Sequence, residues 1–359
     1  MRRHSTLKLV KPAELRKGAR IAGNLFFSKI DRWRVCRKYV SRPHHLQIEP
    51  TTRCNLSCLY CISSIWDRKG IDMKLEDFKR IVDQNPFVSS IHLQGFGEPL
   101  LCADLFPMIQ YAKSHGIEIG TGTNGTLLTR ENIQKILESG LDYLGISVDG
   151  STPDTFEAIR RGTSFHQIMK NINNLLEHRG SSEKPRITFS VCVSNRNFRE
   201  LPEIIQLAGE MGIEGVSALQ ALSFHEDSIR SRLNDSEFQI SPAETNEILL
   251  ESVSLAKKLH MPFDWCGSGQ RGLDLISRGA SLQNVREMCK KISYMCYISA
   301  DGYVTACVQN TNPERDNFGN VFKTDLIDLW RSPSYRDFRE RFYRGEIPDY
   351  CRYCTVVHS

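Results

Sequence analysis

The sequence predicts an α/β protein, a parallel sheet curled into a partial (β/α)6 barrel (an incomplete TIM barrel) with a small C-terminal α+β unit after it. Three observations carry this. Six short apolar runs alternate with stretches of helical period between residues 46 and 220, and such alternation builds parallel sheets with helices packed on their faces. The alternation stops after about residue 222, and a hairpin pattern follows near residue 300. The chemically suspicious residues fall just after the apolar runs, where βα folds gather their sites.

The elements follow in order. Residues 46–49 read as a strand leading into a cysteine-bearing loop, and 74–84 as a helix ended by Asn85 and Pro86. A strand at 90–94 precedes a helix at 104–115 closed by Gly116, and a strand at 117–121 precedes a helix at 129–139 closed by Gly140. Residues 143–148 form the fourth strand, 153–160 and 164–178 two helices, 186–193 the fifth strand, 200–211 a helix and 215–219 the sixth strand. Right-handed crossovers curl six such units into an open barrel. Beyond them, 244–259 reads as a helix, 297–300 and 303–307 as a hairpin turning at Asp301-Gly302, and 324–331 and 334–343 as helices. The predicted organisation is a basic helical segment at 1–45, the barrel at 46–225, a helical linker or substrate region at 226–284 and the C-terminal unit at 285–359.

The chain has 359 residues, 40% hydrophobic and 25% charged, without a low-complexity tract. It has no apolar run of the length a membrane-spanning helix needs, and the charged N-terminus lacks the apolar stretch of a signal peptide. These features predict a cytoplasmic protein. The net charge of +5 is unevenly spread: residues 1–45 carry 13 Lys or Arg against Glu14 and Asp31. Ala22, Leu25, Phe26, Trp33, Cys36 and Val40 recur at near-helical spacing, interrupted by Lys29. Two readings stay open: a solvated basic helix, or a surface that meets an anionic partner such as a phosphorylated carrier or lipid headgroups, peripheral to a membrane. Nothing in the sequence points to specific nucleic-acid binding.

Twelve cysteines are many for a reducing compartment, where clustered cysteines more often bind metal than form disulfides. Cys54, Cys58 and Cys61 follow the first strand in one tight loop. Three thiolates there suit three irons of a [4Fe–4S] cluster and leave the fourth iron open, as a catalytic centre requires. A zinc site would need a fourth ligand, and His44 and His45 lie upstream across a strand. Cys289, Cys307, Cys351 and Cys354 supply four more thiolates, enough for a second [4Fe–4S] cluster or a structural zinc. Cys296 is a fifth candidate there, more simply read as buried by the hairpin. Cys36, Cys102, Cys192 and Cys266 are scattered and read as small buried residues. The run Gly120-Thr-Gly-Thr-Asn-Gly125, with Asp142 beyond it, formally fits a dinucleotide fingerprint. That fingerprint belongs to the first βα turn of its unit, and this run lies on the third strand.

The loop Cys54-Asn-Leu-Ser-Cys-Leu-Tyr-Cys61 resembles the signature of the radical S-adenosylmethionine (SAM) superfamily. The resemblance implies that SAM chelates the open iron and is cleaved reductively to a 5′-deoxyadenosyl radical that abstracts a substrate hydrogen. It also implies an electron donor such as flavodoxin or ferredoxin. Tyr60 matches the aromatic position near the adenine. Gly95-Phe-Gly-Glu-Pro99, with Gly95, Gly97 and Glu98, resembles the motif that receives the SAM amino group, Phe96 standing where a second glycine is commonest. Asn124 after the third strand, Ser147 and Asp149 after the fourth, Arg160 (or Arg161) and Asn195 after the fifth match further SAM contacts. The stretch from Ser299 to Cys307, with Phe318-Gly-Asn320, Leu329-Trp330 and the pair Cys351 and Cys354, resembles SPASM and twitch extensions. A full SPASM domain carries more cysteines after that pair, so the resemblance implies a shortened form with one auxiliary [4Fe–4S] cluster.

A substrate radical beside an auxiliary cluster can lose an electron to it, so the resemblance implies dehydrogenation of a small-molecule, sugar or aminocyclitol-like substrate, free or carrier-linked. Epimerisation is the redox-neutral version, with Cys192 or Cys266 as candidate hydrogen donors. The alternative is a peptide-modifying maturase of the ribosomal-peptide or sulfatase type. Only about 45 residues precede the first strand, too few for a winged-helix leader-recognition module. A non-enzymatic iron–sulfur or zinc protein is the remote alternative, against which the open three-cysteine loop argues. The region 220–285, including Trp265-Cys-Gly-Ser-Gly269, is the candidate substrate region, and no motif in it names a substrate.

Overall fold

Several strands alternate between a buried apolar face and a polar or small one. Strand β5, Arg186–Val193, shows the pattern most fully: Ile187, Phe189, Val191 and Val193 are buried, while Thr188, Ser190 and Cys192 face the other way. The computed structural model describes residues 41–220 except 65, 66 and 69, residues 242–266, and residues 290–348 except 309, 311, 345 and 347. The basic segment 1–40 with Cys36, the residues 267–269, and Cys289, Cys351 and Cys354 lie outside them.

In chain order, β1 (His45–Ile48), α1 (Leu75–Gln84), β2 (Ser90–Leu93), α2 (Leu105–Ser114), β3 (Glu118–Thr123), α3 (Arg130–Glu138) and β4 (Tyr143–Ser147) open the fold. Then come α4 (Pro153–Ile159), α5 (Phe165–Arg179), β5, α6 (Leu201–Met211) and β6 (Val216–Gln220). The remaining elements are α7 (Pro242–Lys258), β7 (Phe263–Cys266), β8 (Met295–Ile298), β9 (Val304–Thr305), α8 (Leu326–Trp330) and α9 (Pro333–Tyr343). Local chemistry sets several boundaries. Thr129 and Thr152 cap α3 and α4 through backbone N–H groups three residues on, and Gly212 ends α6 in the left-handed region at φ 73°. Helix α1 buries Phe78, Ile81 and Val82, a one-sided stripe that packs on the sheet.

Among the described residues the strands form one open sheet in the order β7-β6-β5-β4-β3-β2-β1-β8-β9, parallel except for the final antiparallel β8–β9 pair. This is the predicted α/β architecture, a partial barrel of βα units. It differs from the sequence reading in two places. A strand, β7, follows α7 inside the region expected to be a helical linker, and it pairs parallel with β6 from Val216↔Phe263 to Leu219↔Cys266. Its four residues, Phe-Asp-Trp-Cys, carry no periodicity of their own, and the open edge of β6 makes them a strand. The C-terminal hairpin also joins the sheet, β8 lying parallel to β1 with Leu46↔Cys296 and Ile48↔Ile298 in register. Its turn at Gly302 takes φ 88°, where a Cβ would also crowd Asn320 and Phe322.

The C-terminal helices hold the hairpin from behind. Trp330 Nε1 donates to the Ser41 carbonyl at 3.0 Å. The buried Arg339 guanidinium lies 3.8 Å from the ring centres of both Trp330 and Tyr335 and donates to the Trp330 carbonyl at 2.8 Å. No helix among the described residues is long and apolar enough to cross a membrane.

Phe189 is fully buried between the central strands and the helices. Phe189→Ala is expected to lower the unfolding free energy by about 3–5 kcal/mol, measured by urea titration of the metal-free protein.

Candidate active site

The site grows from the end of β1. After Ile48 the chain runs through Glu49, Pro50, Thr51, Thr52 and Arg53 to Cys54. Thr52 N–H donates to the Ile71 carbonyl at 2.9 Å, closing the wide loop that holds the cysteines. Within it Cys61 N–H donates to the Cys58 carbonyl at 3.2 Å, a tight turn that keeps the second and third cysteines together. Ser57 N–H donates to the Arg161 carbonyl at 3.2 Å and Leu59 N–H to the Ile159 carbonyl at 2.9 Å, fastening the loop to the segment after β4. The Cys61 sulfur lies 3.1 Å from the Ser63 hydroxyl.

The loop of residues 95–99, after β2, packs directly on this one. Glu98 N–H donates to the Arg53 carbonyl at 2.7 Å. A Cβ on Gly97 would overlap the Thr51 carbonyl, and one on Gly95 would overlap the Glu49 side chain, so both glycines are required by close approach. Phe96 between them lines the cavity. Glu98 is buried and turns its carboxylate to the end of β3: it accepts from Thr123 Oγ1 at 2.8 Å, Asn124 N at 2.7 Å and Leu100 N at 3.1 Å. Burial pushes its carboxyl above the usual range, and those donors pull the other way. Asn124 Nδ2 in turn donates to Asn55 Oδ1 at 2.9 Å, tying β3 to the cysteine loop.

From the other side, Asp149 accepts from Arg160 Nε at 2.5 Å and from the Cys192 backbone N–H at 2.7 Å. Arg160 Nη1 lies 3.9 Å from the Cys58 sulfur. Burial opposes the Arg160 charge, but Asp149 and Cys58 outweigh it and hold the guanidinium protonated. Burial pushes the Cys58 thiol up to about 11 and raises Cys54 as well, so thiolates at these positions call for cationic partners.

Cys54, Cys58, Cys61, Tyr60, Gly95, Gly97, Glu98, Asn124, Ser147, Asp149 and Arg160 all line one cavity at the C-terminal ends of the strands. Asn195 is not among its lining residues; it sits half-buried beside Arg199. The neighbouring Asn197 is the buried residue that reaches back, donating to the Asp149 and Cys192 carbonyls at 2.9 and 3.0 Å. Ser194 donates to the Tyr60 hydroxyl at 2.7 Å and so fixes that ring in the cavity wall. Cys307 is half-buried at the end of the hairpin. Cys296 is a core thiol pushed up to about 12 by burial, and Cys102 is buried too. Cys192 is different from the scattered core thiols, because it lines the cavity.

Gln94, which no sequence motif singles out, also lines the cavity, as do Gly122 and Thr123 of the run that formally fits a dinucleotide fingerprint. A Cβ on Gly122 would come within 2.9 Å of the Gln94 side chain, so this glycine makes room for an inward-facing amide. The available signal was a glutamine one step beyond an apolar strand, on its polar alternation.

The donor set suits a polynuclear cluster. Three cysteine thiols line one cavity. In a [4Fe–4S] cluster each thiolate binds a different iron, so three such thiols fit three of its irons.

A barrel of this kind, with an open cysteine loop beside a carboxylate and an arginine at its mouth, defines a class of iron–sulfur enzymes that bind a small amino-acid-derived cofactor. Residues 48–208 match the model of the radical SAM superfamily and residues 289–355 the SPASM model, an iron–sulfur cluster-binding domain, so the chain carries a radical SAM domain followed by a SPASM domain. The family brings a [4Fe–4S] cluster and SAM, and the SPASM domain brings an auxiliary iron–sulfur centre. The tungsten-containing aldehyde ferredoxin oxidoreductase cofactor-modifying protein of Pyrococcus furiosus is 27% identical over 82% of this chain and 83% of its own length. The AdoMet-dependent heme synthase of Methanosarcina barkeri is 24% identical over 87% of this chain and 88% of its own. The structure of Streptococcus suis SuiB bound to precursor peptide SuiA shares the fold, with a TM-score of 0.68 and 16% identity over 99% of this chain and 78% of that one.

Gly97→Ala forces a side chain against the Thr51 carbonyl and is expected to destabilise the metal-free protein by about 1–3 kcal/mol, read as a lower urea midpoint. An unchanged midpoint would contradict the close packing of the two loops.

Proposed function

We propose that this radical SAM enzyme oxidises a small-molecule substrate by hydrogen abstraction, with Cys54, Cys58 and Cys61 holding the catalytic [4Fe–4S] cluster. The observation that carries the reading is one cavity lined by these three thiols, by Glu98 and by the Asp149–Arg160 pair. When bound, the reduced cluster supplies the electron that cleaves SAM and starts hydrogen abstraction. The chain's own residues bind and orient. Glu98 offers its carboxylate to the SAM ammonium, a charge-assisted pair, and Asn124 closes the same corner. Asp149 fixes Arg160, whose remaining N–H groups serve the SAM carboxylate. Tyr60, held by Ser194, walls the adenine end, and Gly95, Gly97 and Ser147 leave room for the cofactor. Asn197 supports Asp149 from behind, and Asn195, expected as a SAM contact, is given no role here.

Cys289, Cys307, Cys351 and Cys354 are the proposed ligands of the auxiliary cluster, in a unit spanning 285–359 behind a barrel of 46–225 and a substrate region of 226–284. That cluster gives the substrate radical an electron acceptor, which favours dehydrogenation over epimerisation. A flavodoxin or ferredoxin is the proposed electron donor, and the basic 1–45 segment a contact for an anionic carrier or surface. Two relatives matched over most of their length are named for a cofactor-modifying and a heme-forming role. Their names support a cofactor-like small molecule as substrate. A peptide is the second reading, since SuiB shares this fold and binds a precursor peptide.

The test is anaerobic reconstitution, iron and sulfide counting, and an assay for 5′-deoxyadenosine with dithionite. Wild type is expected to hold about eight irons, two [4Fe–4S] clusters, and Cys54→Ala about four. Only wild type should release 5′-deoxyadenosine. Bound zinc without iron, or equal cleavage by Cys54→Ala, would overturn the assignment.

A further inference from the structure

Glu49, outside the cavity wall, is fully buried five residues before Cys54. Its two oxygens serve different parts of the molecule. Oε1 accepts from Phe96 N–H at 3.2 Å, inside the loop of residues 95–99. Oε2 accepts from Ala300 N–H at 3.2 Å, in the turn of the C-terminal hairpin. Gly95 is a glycine because the Glu49 side chain fills the space under it. Arg68, seven residues after Cys61 and 8% exposed, supplies the countercharge. Its Nη1 lies 3.7 Å from Glu49 Oε2, its Nη2 donates to Asp301 Oδ1 at 2.5 Å, and its Nε lies 3.9 Å from Glu314 Oε1. Ser299 Oγ donates to the same Asp301 oxygen at 2.6 Å, and Asn320 Nδ2 donates to the Asp301 carbonyl at 2.8 Å. Six residues after Asp301, the hairpin ends at Cys307.

The pair therefore joins both flanks of the cysteine loop, the loop of residues 95–99 and the turn that leads to Cys307. A buried carboxylate is held in place by its donors and its countercharge, and removing one partner leaves an uncompensated charge that must move or take up a proton. Either outcome weakens the hydrogen bonds from Phe96 and Ala300 N–H, which share this one carboxylate.

We propose that Glu49, Arg68 and Asp301 are positioning residues that couple the SAM-binding loop to the auxiliary-cluster hairpin, so that a change at Asp301 alters SAM binding although Asp301 does not touch the cavity. The proposal rests on the reading of residues 95–99 as the SAM loop. Its structural half does not.

The experiment has two readouts. Amide hydrogen exchange of the metal-free protein compares wild type with Arg68→Met, Arg68→Lys, Asp301→Asn and the surface control Lys135→Ala. Arg68→Met and Asp301→Asn should each speed exchange by about tenfold in residues 95–99 and in 299–302 together, Arg68→Lys should do so less, and Lys135→Ala should leave both segments unchanged. SAM affinity is then measured by equilibrium dialysis on reconstituted holoenzymes of equal iron content. Asp301→Asn and Arg68→Met should each weaken SAM by about tenfold, and the double variant should be no weaker than Arg68→Met alone, as for residues in one network. Exchange that rises only around the substituted residue, or SAM affinity unchanged in fully loaded Asp301→Asn, would overturn the coupling. If wild type binds no SAM, the functional reading fails instead, and the exchange comparison still decides the link.

Discussion

Strand β1 is the constraint on which the rest of the molecule depends. It is hydrogen-bonded along both edges, to β2 on one side and to β8 on the other, in matched register from His45 to Ile48. A short strand gripped on both edges has little freedom to slip, because a one-residue slip would turn Leu46 and Ile48 out of the core. Everything that leaves its C-terminal end is therefore aimed. Glu49 goes under the neighbouring loop, Arg53 accepts a hydrogen bond from it while the Thr51 carbonyl packs against Gly97, and the three cysteines arrive at one cavity. The same strand carries the C-terminal hairpin, so the cysteine loop and the hairpin that ends at Cys307 are indexed to one element.

The site above β1 is built from charges that hold one another before any cofactor arrives. Glu98 is held by three donors from β3 and its own loop, with acceptor capacity to spare, and Asp149 is held by Arg160 and the Cys192 backbone. Buried carboxylates cost free energy unless they are bonded in this way. Their bonds also preorganise the cavity, since each joins the ends of different strands. Preorganised polar groups are what a site needs if it is to bind a zwitterionic cofactor without rearrangement.

Much of this was legible in the sequence, and the reasons are physical. The strand 186–193 and the helix at 201–211 declare themselves by alternation and by 3.6-residue period, with Gly212 as a stop. The cysteine loop and Gly95–Pro99 are local motifs whose residues act close to where they stand in the chain. What stayed hidden depends on pairing across the chain. Strand β7 has four residues and no period, and only the free edge of β6 makes it a strand. The parallel contact of β8 with β1 joins segments about 250 residues apart, and no local pattern encodes it. Asn195 and Asn197 are chemically identical two residues apart, and the turn after β5, not composition, decides that Asn197 faces Asp149. Glu49 looked like the end of a strand; its burial and its partnership with Arg68 emerge only when four segments meet.

A three-cysteine cluster with an open iron in the cavity would bind SAM there, and electron paramagnetic resonance of the dithionite-reduced, reconstituted protein with and without SAM tests this. SAM should change the signal of one reduced cluster in wild type, and this SAM-sensitive signal should be missing in Cys58→Ala. A reduced cluster with full iron content whose spectrum is indifferent to SAM would contradict it.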